Sequence, residues 1–210
     1  TPEDEEEMNN EDLPDTLPIL PLRNMVLFPG VVIPITAGRD KSINLINDAY
    51  AAGKIIGVVA QKNEEIEDPT KNDIHQIGTV ARILRVLKMP DGNVTVILQG
   101  KKRFKIESVV SENPYFTANI KDVAEKRPTK KDTEFLAILD SVRELAIQII
   151  KENPNIPSEA TFAIKNIESQ SFLINFVTSN MSLSVEEKQN LLSINSLKDR
   201  ALETLRYMNT

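Results

Sequence analysis

Side chains able to do covalent or metal chemistry are scarce in this sequence. Cysteine is absent from its 210 residues, which removes thiol nucleophiles, thiolate metal sites and disulfides. The single histidine, His75, is too little imidazole for a multi-histidine metal centre. Its polar surroundings read as those of an exposed or locally bonded side chain. Ser184 and Lys188 stand at i and i+4, a spacing at which a lysine of depressed pKa could activate a serine. Glu187, three residues after Ser184, makes that serine a helix N-cap instead. The seven glycines are scattered singly, so no G-x-x-x-x-G-K-[ST] loop exists to cradle phosphates. No residue is assigned to catalysis, to a cofactor or to a metal.

Charge is unevenly spread. The formal net charge is −6, yet residues 1–12 (TPEDEEEMNNED) hold seven acids and no base, and without them 24 acids face 25 bases. This leader reads as a disordered, solvated acidic tail. Between 82 and 105 the sign reverses, with seven bases (Arg82, Arg85, Lys88, Lys101, Lys102, Arg103 and Lys105) against Asp91 alone. Strand alternation sends these bases to more than one face and only Phe104 interleaves them, so the run reads as a solvated strand face. Apolar runs such as Ile55–Ala60 fall far short of the ~20 residues of a membrane helix. No charged start followed by an apolar stretch marks a signal peptide, which together with the missing cysteines fits a cytoplasmic protein.

These groups must be positioned by two kinds of element. From Leu13 to Val123 the chain reads as short strands, kept short and edge-like by Pro14, Pro18, Pro21, Pro29 and Pro34. Apolar bursts at Leu17–Leu22, Met25–Phe28 and Val31–Ile35 are strand candidates. Residues 40–52 predict a helix burying Ile43, Ile46 and Tyr50, with Gly53 as a left-handed C-cap. Ile55–Ala60 predicts a buried strand, 61–76 a surface loop, and 77–100 a hairpin turning at Pro90-Asp91-Gly92. Strands around Phe104–Val110 and Tyr115–Val123 follow. Six or more short strands with one inserted helix imply a sheet that closes on itself or packs as a sandwich.

After Arg127-Pro128 the period becomes helical. Asp132 caps a helix carrying Phe135, Leu139, Val142, Ala146 and Ile149, which ends by Asn153 because Pro154 follows. Shorter helices fit 158–168, 170–179 and the segment after Ser184. The last helix, opened by Ser196, meets no stop signal before Thr210, so it reads as truncated. The expected division is an acidic tail over 1–12, a β-rich unit over 13–125 and a helical unit over 126–210. The junction, around 124–132, is expected to be protease-sensitive.

Several segments carry a resemblance in order. Leu17-Pro18-Ile19-Leu20-Pro21-Leu22-Arg23-Asn24 leads into Val26-Leu27-Phe28-Pro29-Gly30, Val32-Ile33-Pro34-Ile35 and Gly38-Arg39-Asp40-Lys41-Ser42. Val59-Ala60-Gln61-Lys62, Ile77-Gly78-Thr79-Val80-Ala81 and Leu87-Lys88-Met89-Pro90-Asp91-Gly92 follow, then Gly100 and Arg103. The chain thereby resembles the N-terminal domain of the bacterial ATP-dependent Lon protease family, specifically over about 13–125 and in layout beyond. It departs from the family at Asn24, where Asp is frequent, and at Asp40, where Glu is usual; residues 1–12 lie outside the resemblance.

The resemblance implies an α+β chain, a PUA-like β pseudo-barrel with one inserted helix, followed by an α-helical bundle. It implies a module for substrate recognition and assembly in a homohexameric serine protease that degrades misfolded and regulatory proteins. The partners would be unfolded or damaged polypeptides and neighbouring subunits, with no membrane. The AAA+ ATPase, using ATP and Mg, and the Ser-Lys protease domain would lie outside this chain, which has no catalysis of its own. Promiscuous recognition favours exposed apolar groups able to repack, for which methionine is suited. Leu22, Met25, Val26 and Phe28 in one loop, and Met89 and Pro90 in another, are therefore expected to touch substrate, the other role open to them being to cap the barrel core. Arg39, Asp40 and Lys41 are a candidate charged contact or simply a helix start. A stand-alone PUA-like module binding RNA through the basic run, or a protein partner, is the alternative.

Overall fold

Apolar alternation broken by proline and glycine gives six strands before residue 124: β1 (Thr16–Leu22), β2 (Val32–Ala37), β3 (Ile55–Ala60), β4 (Ile77–Lys88), β5 (Val94–Ser111) and β6 (Phe116–Asp122). One helix, α1 (Asp40–Ala51), lies between β2 and β3. The structure, a computed structural model, describes residues 13–157 and 159–209. They divide into two units at Val123/Ala124.

The strands of the first unit pair in the order β2-β5-β4-β3-β1-β6, and β5 pairs with β6 as well. That extra pairing closes β1, β3, β4, β5 and β6 into a ring. Strand β2 stays outside it, bonded to β5 alone. Where two strands were expected in the second half, β5 is a single strand of 18 residues. Its first half pairs with β2 and its second half with β6. Register shifts against both β4 and β6 supply the bends that a strand this long requires. Inside the ring lie Leu17, Ile19, Val59, Val80, Phe104, Ile106, Phe116, Ala118 and Ile120. Gly78 is fixed by this packing: a Cβ there would stand 2.1 Å from the Val58 carbonyl oxygen.

Three local expectations are corrected. Residues 25–28 form no strand, because the Leu27 carbonyl accepts a 2.6 Å hydrogen bond from Thr79 Oγ1 instead of joining a ladder. Helix α1 buries Ser42, Leu45, Ile46 and Ala49, leaving Ile43 half-buried and Tyr50 exposed. The Tyr50 ring instead carries Lys54 Nζ 4.8 Å from its centroid. After α1 the left-handed residue is Lys54 (φ 64°), not Gly53.

The second unit contains α2 (Thr133–Glu152), α3 (Glu159–Lys165), α4 (Gln170–Asn180), α5 (Val185–Leu192) and α6 (Leu197–Met208). Asp132, Ser169, Ser184 and Ser196 each accept an N–H of the first turn that follows. Phe135, Leu139, Val142, Leu173, Ile174, Leu197 and Ala201 form its core; Ile149, expected among them, is exposed. Fully buried Arg200 donates to Asn175 Oδ1 (2.7 Å) and to Glu125 Oε1 (2.6 Å). Lys126 accepts from the Leu197 N–H and donates to the Asn195 carbonyl. Residues 125 and 126, expected in a loose junction, are thus bonded into the helical unit. No helix among the described residues is long and apolar enough to cross a membrane.

Candidate functional site

The loop expected to touch substrate is mostly core. Leu22, Val26 and Phe28 are buried, and only Met25 is half-exposed. The reason is backbone anchoring: besides the Thr79 bond, the Gly30 N–H donates to the Gly100 carbonyl and the Gly100 N–H to the Val31 carbonyl, both at 2.9 Å. These contacts pull Val26 and Phe28 inward, while Leu22 closes β1 beside Ala60 of β3. The assignment of Leu22, Val26 and Phe28 as substrate contacts is therefore corrected to the core-capping role. Met89 and Pro90 fare differently and stand exposed at the hairpin turn, where Gly92 takes φ +91°.

Arg39, Asp40 and Lys41 gather at the start of α1, on a hollow of about 440 Å³ shared with Pro21, Asp68 and Tyr115. Arg39 donates to the Glu67 carbonyl (2.8 Å) and the Pro21 carbonyl (3.4 Å). Burial, and then the charge of Arg23, lowers its pKa from the usual arginine value. Lys41 pairs with Asp68 at 3.4 Å, while Asp40 is the acid of the helix's first turn. Tyr115 donates to Asp48 Oδ2 at 2.9 Å, and burial with that bond raises its pKa. The two cations thus tie the 61–70 loop to the helix start.

The chemistry weighed for Ser184 and Lys188 does not assemble. The hydroxyl of Ser184 accepts the Glu187 N–H in a complete capping box. Lys188 Nζ donates to the Ser179 carbonyl at 2.9 Å, its pKa lowered by burial. His75 is half-buried and its backbone N–H donates to the Ala60 carbonyl. Among the described residues no three of His, Cys, Asp and Glu are grouped to hold a metal.

What the structure does assemble is a sheet face that the sequence did not reveal. Ladder pairing sets Val32 against Gln99 and Arg82, Pro34 against Ile97 and Arg85, and Thr36 against Thr95 and Leu87. The 3.1 Å Thr36–Thr95 hydroxyl bond confirms a shared side. Strict alternation would place Arg82 and Arg85, three apart, on opposite faces. The register shift between Ile83 and Arg85 leaves Leu84 without a partner and returns Arg85 to the face of Arg82. Val32, Leu84, Leu87 and Met89 are 50%, 47%, 38% and 42% exposed. In the same basic run, Arg103 is buried: it pairs with Thr79, on the side of the sheet where Thr79 bonds the Leu27 carbonyl, away from barrel-core Phe104. The face thus joins half-exposed aliphatic groups to two arginines with no ion pair among the described residues. A hydrophobic chain carrying some acidic residues suits it. In the helical unit Phe162, 71% exposed, is a further apolar group that periodicity did not single out.

A closed five-stranded barrel with one outer strand and an inserted helix, continued by a helical unit, defines a class of Lon N-terminal fold. The N-terminal domain of Mycobacterium avium complex Lon protease superimposes with a TM-score of 0.75 at 19% identity, over 92% of this chain and 98% of that one. A Lon N-terminal domain protein from Xanthomonas campestris gives 0.62 at 17%, with the same coverage. At those identities the likeness is one of fold. Sequence goes further: residues 16–210 match the family described as the ATP-dependent protease La (LON) substrate-binding domain. Lon protease of Flavobacterium johnsoniae is 83% identical over 209 residues, covering 100% of this chain and 26% of that protein. Lon protease of Cytophaga hutchinsonii is 48% identical with the same coverage. The chain belongs to the Lon substrate-binding domain family, and it spans about a quarter of the length of these relatives. An RNA-binding module finds no support in them.

Proposed function

We propose that this chain selects substrates for an ATP-dependent serine protease, and that unfolded polypeptide lies on the outer face of β2, β5 and β4 and on the hairpin turn. The single observation that carries the reading is the row of exposed Val32, Leu84, Leu87 and Met89 beside Arg82 and Arg85, which have no ion pair among the described residues. Exposed aliphatic groups gathered on one side recover free energy only when something covers them. Methionine and leucine accept varied partners, which suits substrates defined by being unfolded. In this reading ATP, Mg and the serine nucleophile act elsewhere in a cytoplasmic homohexamer, and this chain contributes binding and assembly alone. Its substrates are damaged, misfolded or regulatory proteins.

One patch of this size supports only weak affinity, on the order of 10 μM or poorer, because ordering a flexible chain offsets most of the gain. The test is titration of the chain with a permanently unfolded polypeptide, such as a reduced and carboxymethylated small protein. Leu87→Asp with Met89→Asp should weaken binding by about tenfold or more, since a charge placed at an apolar contact loses its hydration. Both side chains are exposed, so the fold should persist by circular dichroism. Unchanged binding in the double variant would move the substrate surface elsewhere.

A further inference from the structure

The first turn of α1 holds hydrogen-bonding groups that no described residue uses. Its N-cap, Arg39, supplies no side-chain cap, and the first N–H bonded into the helix is that of Ile43, to the Arg39 carbonyl. The N–H groups of Asp40, Lys41 and Ser42 therefore lack acceptors among the described residues, at the positive end of a 12-residue helix. Ser42 lines the hollow of about 440 Å³ at this helix start. It is only 6% exposed, yet its hydroxyl has no hydrogen-bond partner among the described residues. An unbonded hydroxyl so deeply buried costs free energy that a bound acceptor returns. Half-buried Arg39 lies on the same hollow, bonded to carbonyls and without an ion pair among the described residues. Burial and the charge of Arg23 already disfavour its charged form, a strain that an anion beside it would relieve. The acids of the lining, Asp40, Glu67 and Asp68, are all exposed to solvent, and Lys41 holds Asp68. Ile19, Leu20, Leu45 and Phe116, all buried, give the hollow its apolar part.

We propose that this hollow takes a polypeptide chain end whose last residue is apolar, its α-carboxylate accepting from the first-turn N–H groups and the Ser42 hydroxyl beside Arg39. The chemistry of the lining selects this ligand. Free N–H groups at a helix start, a hydroxyl and a guanidinium are all donors, and together they suit an oxyanion. The volume falls in the range of small-ligand sites, more than a lone carboxylate needs, and the buried apolar residues ask for an apolar group next to the charge. A chain end carries a carboxylate and an apolar side chain on one Cα. An Asp or Glu side chain instead sets one or two methylenes between its carboxylate and a polar backbone. The site shares no residue with the outer face of β2, β5 and β4, so the contact does not depend on the proposed function. Its consequence does: a chain that selects unfolded polypeptides would then read a free end as well as an exposed apolar segment.

The test titrates the isotope-labelled chain with N-acetyl-leucine and with N-acetyl-leucinamide, which differ in the charged carboxylate alone. The acid should shift the backbone amides of Asp40, Lys41 and Ser42 in one saturable step, at about millimolar concentration for a ligand of a dozen heavy atoms. The amide should bind at least about tenfold more weakly, since a charged acceptor makes the stronger bonds. Ser42→Ala should weaken the acid about fivefold and leave the thermal midpoint in place, because the hydroxyl has no bond within the chain to lose. Arg39→Gln should weaken it about tenfold, with Ser42→Ala the cleaner variant because Arg39 also holds two carbonyls. Acid and amide binding alike, no movement in the first turn of α1, or an acid indifferent to Ser42→Ala would each overturn the site. Inorganic phosphate and the α-amide of N-acetyl-glutamate, which offers only a side-chain carboxylate, are the competitors. Either of them binding as tightly as N-acetyl-leucine overturns the chain-end assignment. The consequence is read on an unfolded polypeptide ending in leucine, which should bind about threefold more weakly once its terminal carboxylate is amidated. Equal binding of those two forms overturns the reading of chain ends. If neither form binds, the proposed function fails, and the small-acid titration still decides the site.

Discussion

Asp132 does two jobs with one carboxylate, and they separate by pH. Oδ1 accepts the Phe135 N–H at 2.9 Å, which caps α2, and the group pairs with Lys198 Nζ at 3.0 Å. The backbone bond first, and Lys198 second, hold its pKa below the usual carboxylate range. Lys198 is correspondingly raised, chiefly by its bond to Asp132. A depressed carboxylate adds stability that is present above the unfolded pKa of about 3.9 and is lost as pH falls through the folded value. A raised lysine adds stability present below its unfolded value of about 10.4 and lost above the folded one. Asp132→Asn keeps an N-cap acceptor but no charge. Its denaturation midpoint should therefore trail that of the parent between about pH 5 and 9, and the gap should close in acid and in strong base. A gap unchanged at pH 3 would show that capping alone matters. Glu125 tests the opposite regime, since the Arg200 side chain is only 1% exposed and its Nε already lacks a partner. Glu125→Ala strands a buried cation and should cost about 3 kcal/mol or more, read as a lower urea midpoint of the helical signal.

At the scale of elements, periodicity made most of the framework legible. Asp132 and Ser184 as caps, Pro90-Asp91-Gly92 as a turn and the continuous apolar run of β3 each act through neighbours a few residues away, so sequence shows them. The candidate face was hidden for the opposite reason. Whether Arg82 and Arg85 share a side depends on one unpartnered residue, Leu84, and nothing local distinguishes Leu84 from its neighbours. The same holds for Val26 and Phe28, whose burial follows from Thr79, some fifty residues away, bonding Leu27, and for Leu22, which ends β1 beside Ala60. The bulge also makes a prediction about deletion. Removing Leu84 leaves Ile83 against Leu98 and Arg85 against Ile97, so the ladder survives at a cost of about 1 kcal/mol. Removing Val86 instead forces each later residue of β4 to change side or partner, which should cost several times as much. Thermal melts of the two deletions, with amide protection read at Val96 and Leu98, decide it. Equal losses would mean that the bulge itself holds the hairpin.

On the scale of the whole molecule, weak binding becomes useful only through number. If the outer face binds as proposed, one copy buries little area against an unfolded chain and releases it quickly. Several copies held on one ring change the arithmetic, because a polypeptide engaged at one face meets the others at high effective concentration. Avidity of this kind adds ~10²–10⁴ with no new contact. Folded proteins gain nothing, since they offer no second exposed apolar segment within reach. Fusing residues 13–210 to an unrelated hexameric scaffold should therefore tighten binding to an unfolded polypeptide by about a hundredfold and barely alter binding to the same protein in its native state. Leu87→Asp with Met89→Asp in every copy should remove most of the gain, because each face then loses the contact that avidity multiplies. Surface-attached substrate and dissociation rates give the readout, with the effect expected in the off-rate. Monomer and hexamer binding alike, or a double variant that keeps the gain, would place recognition on another surface, with the exposed Phe162 of the helical unit the next to test.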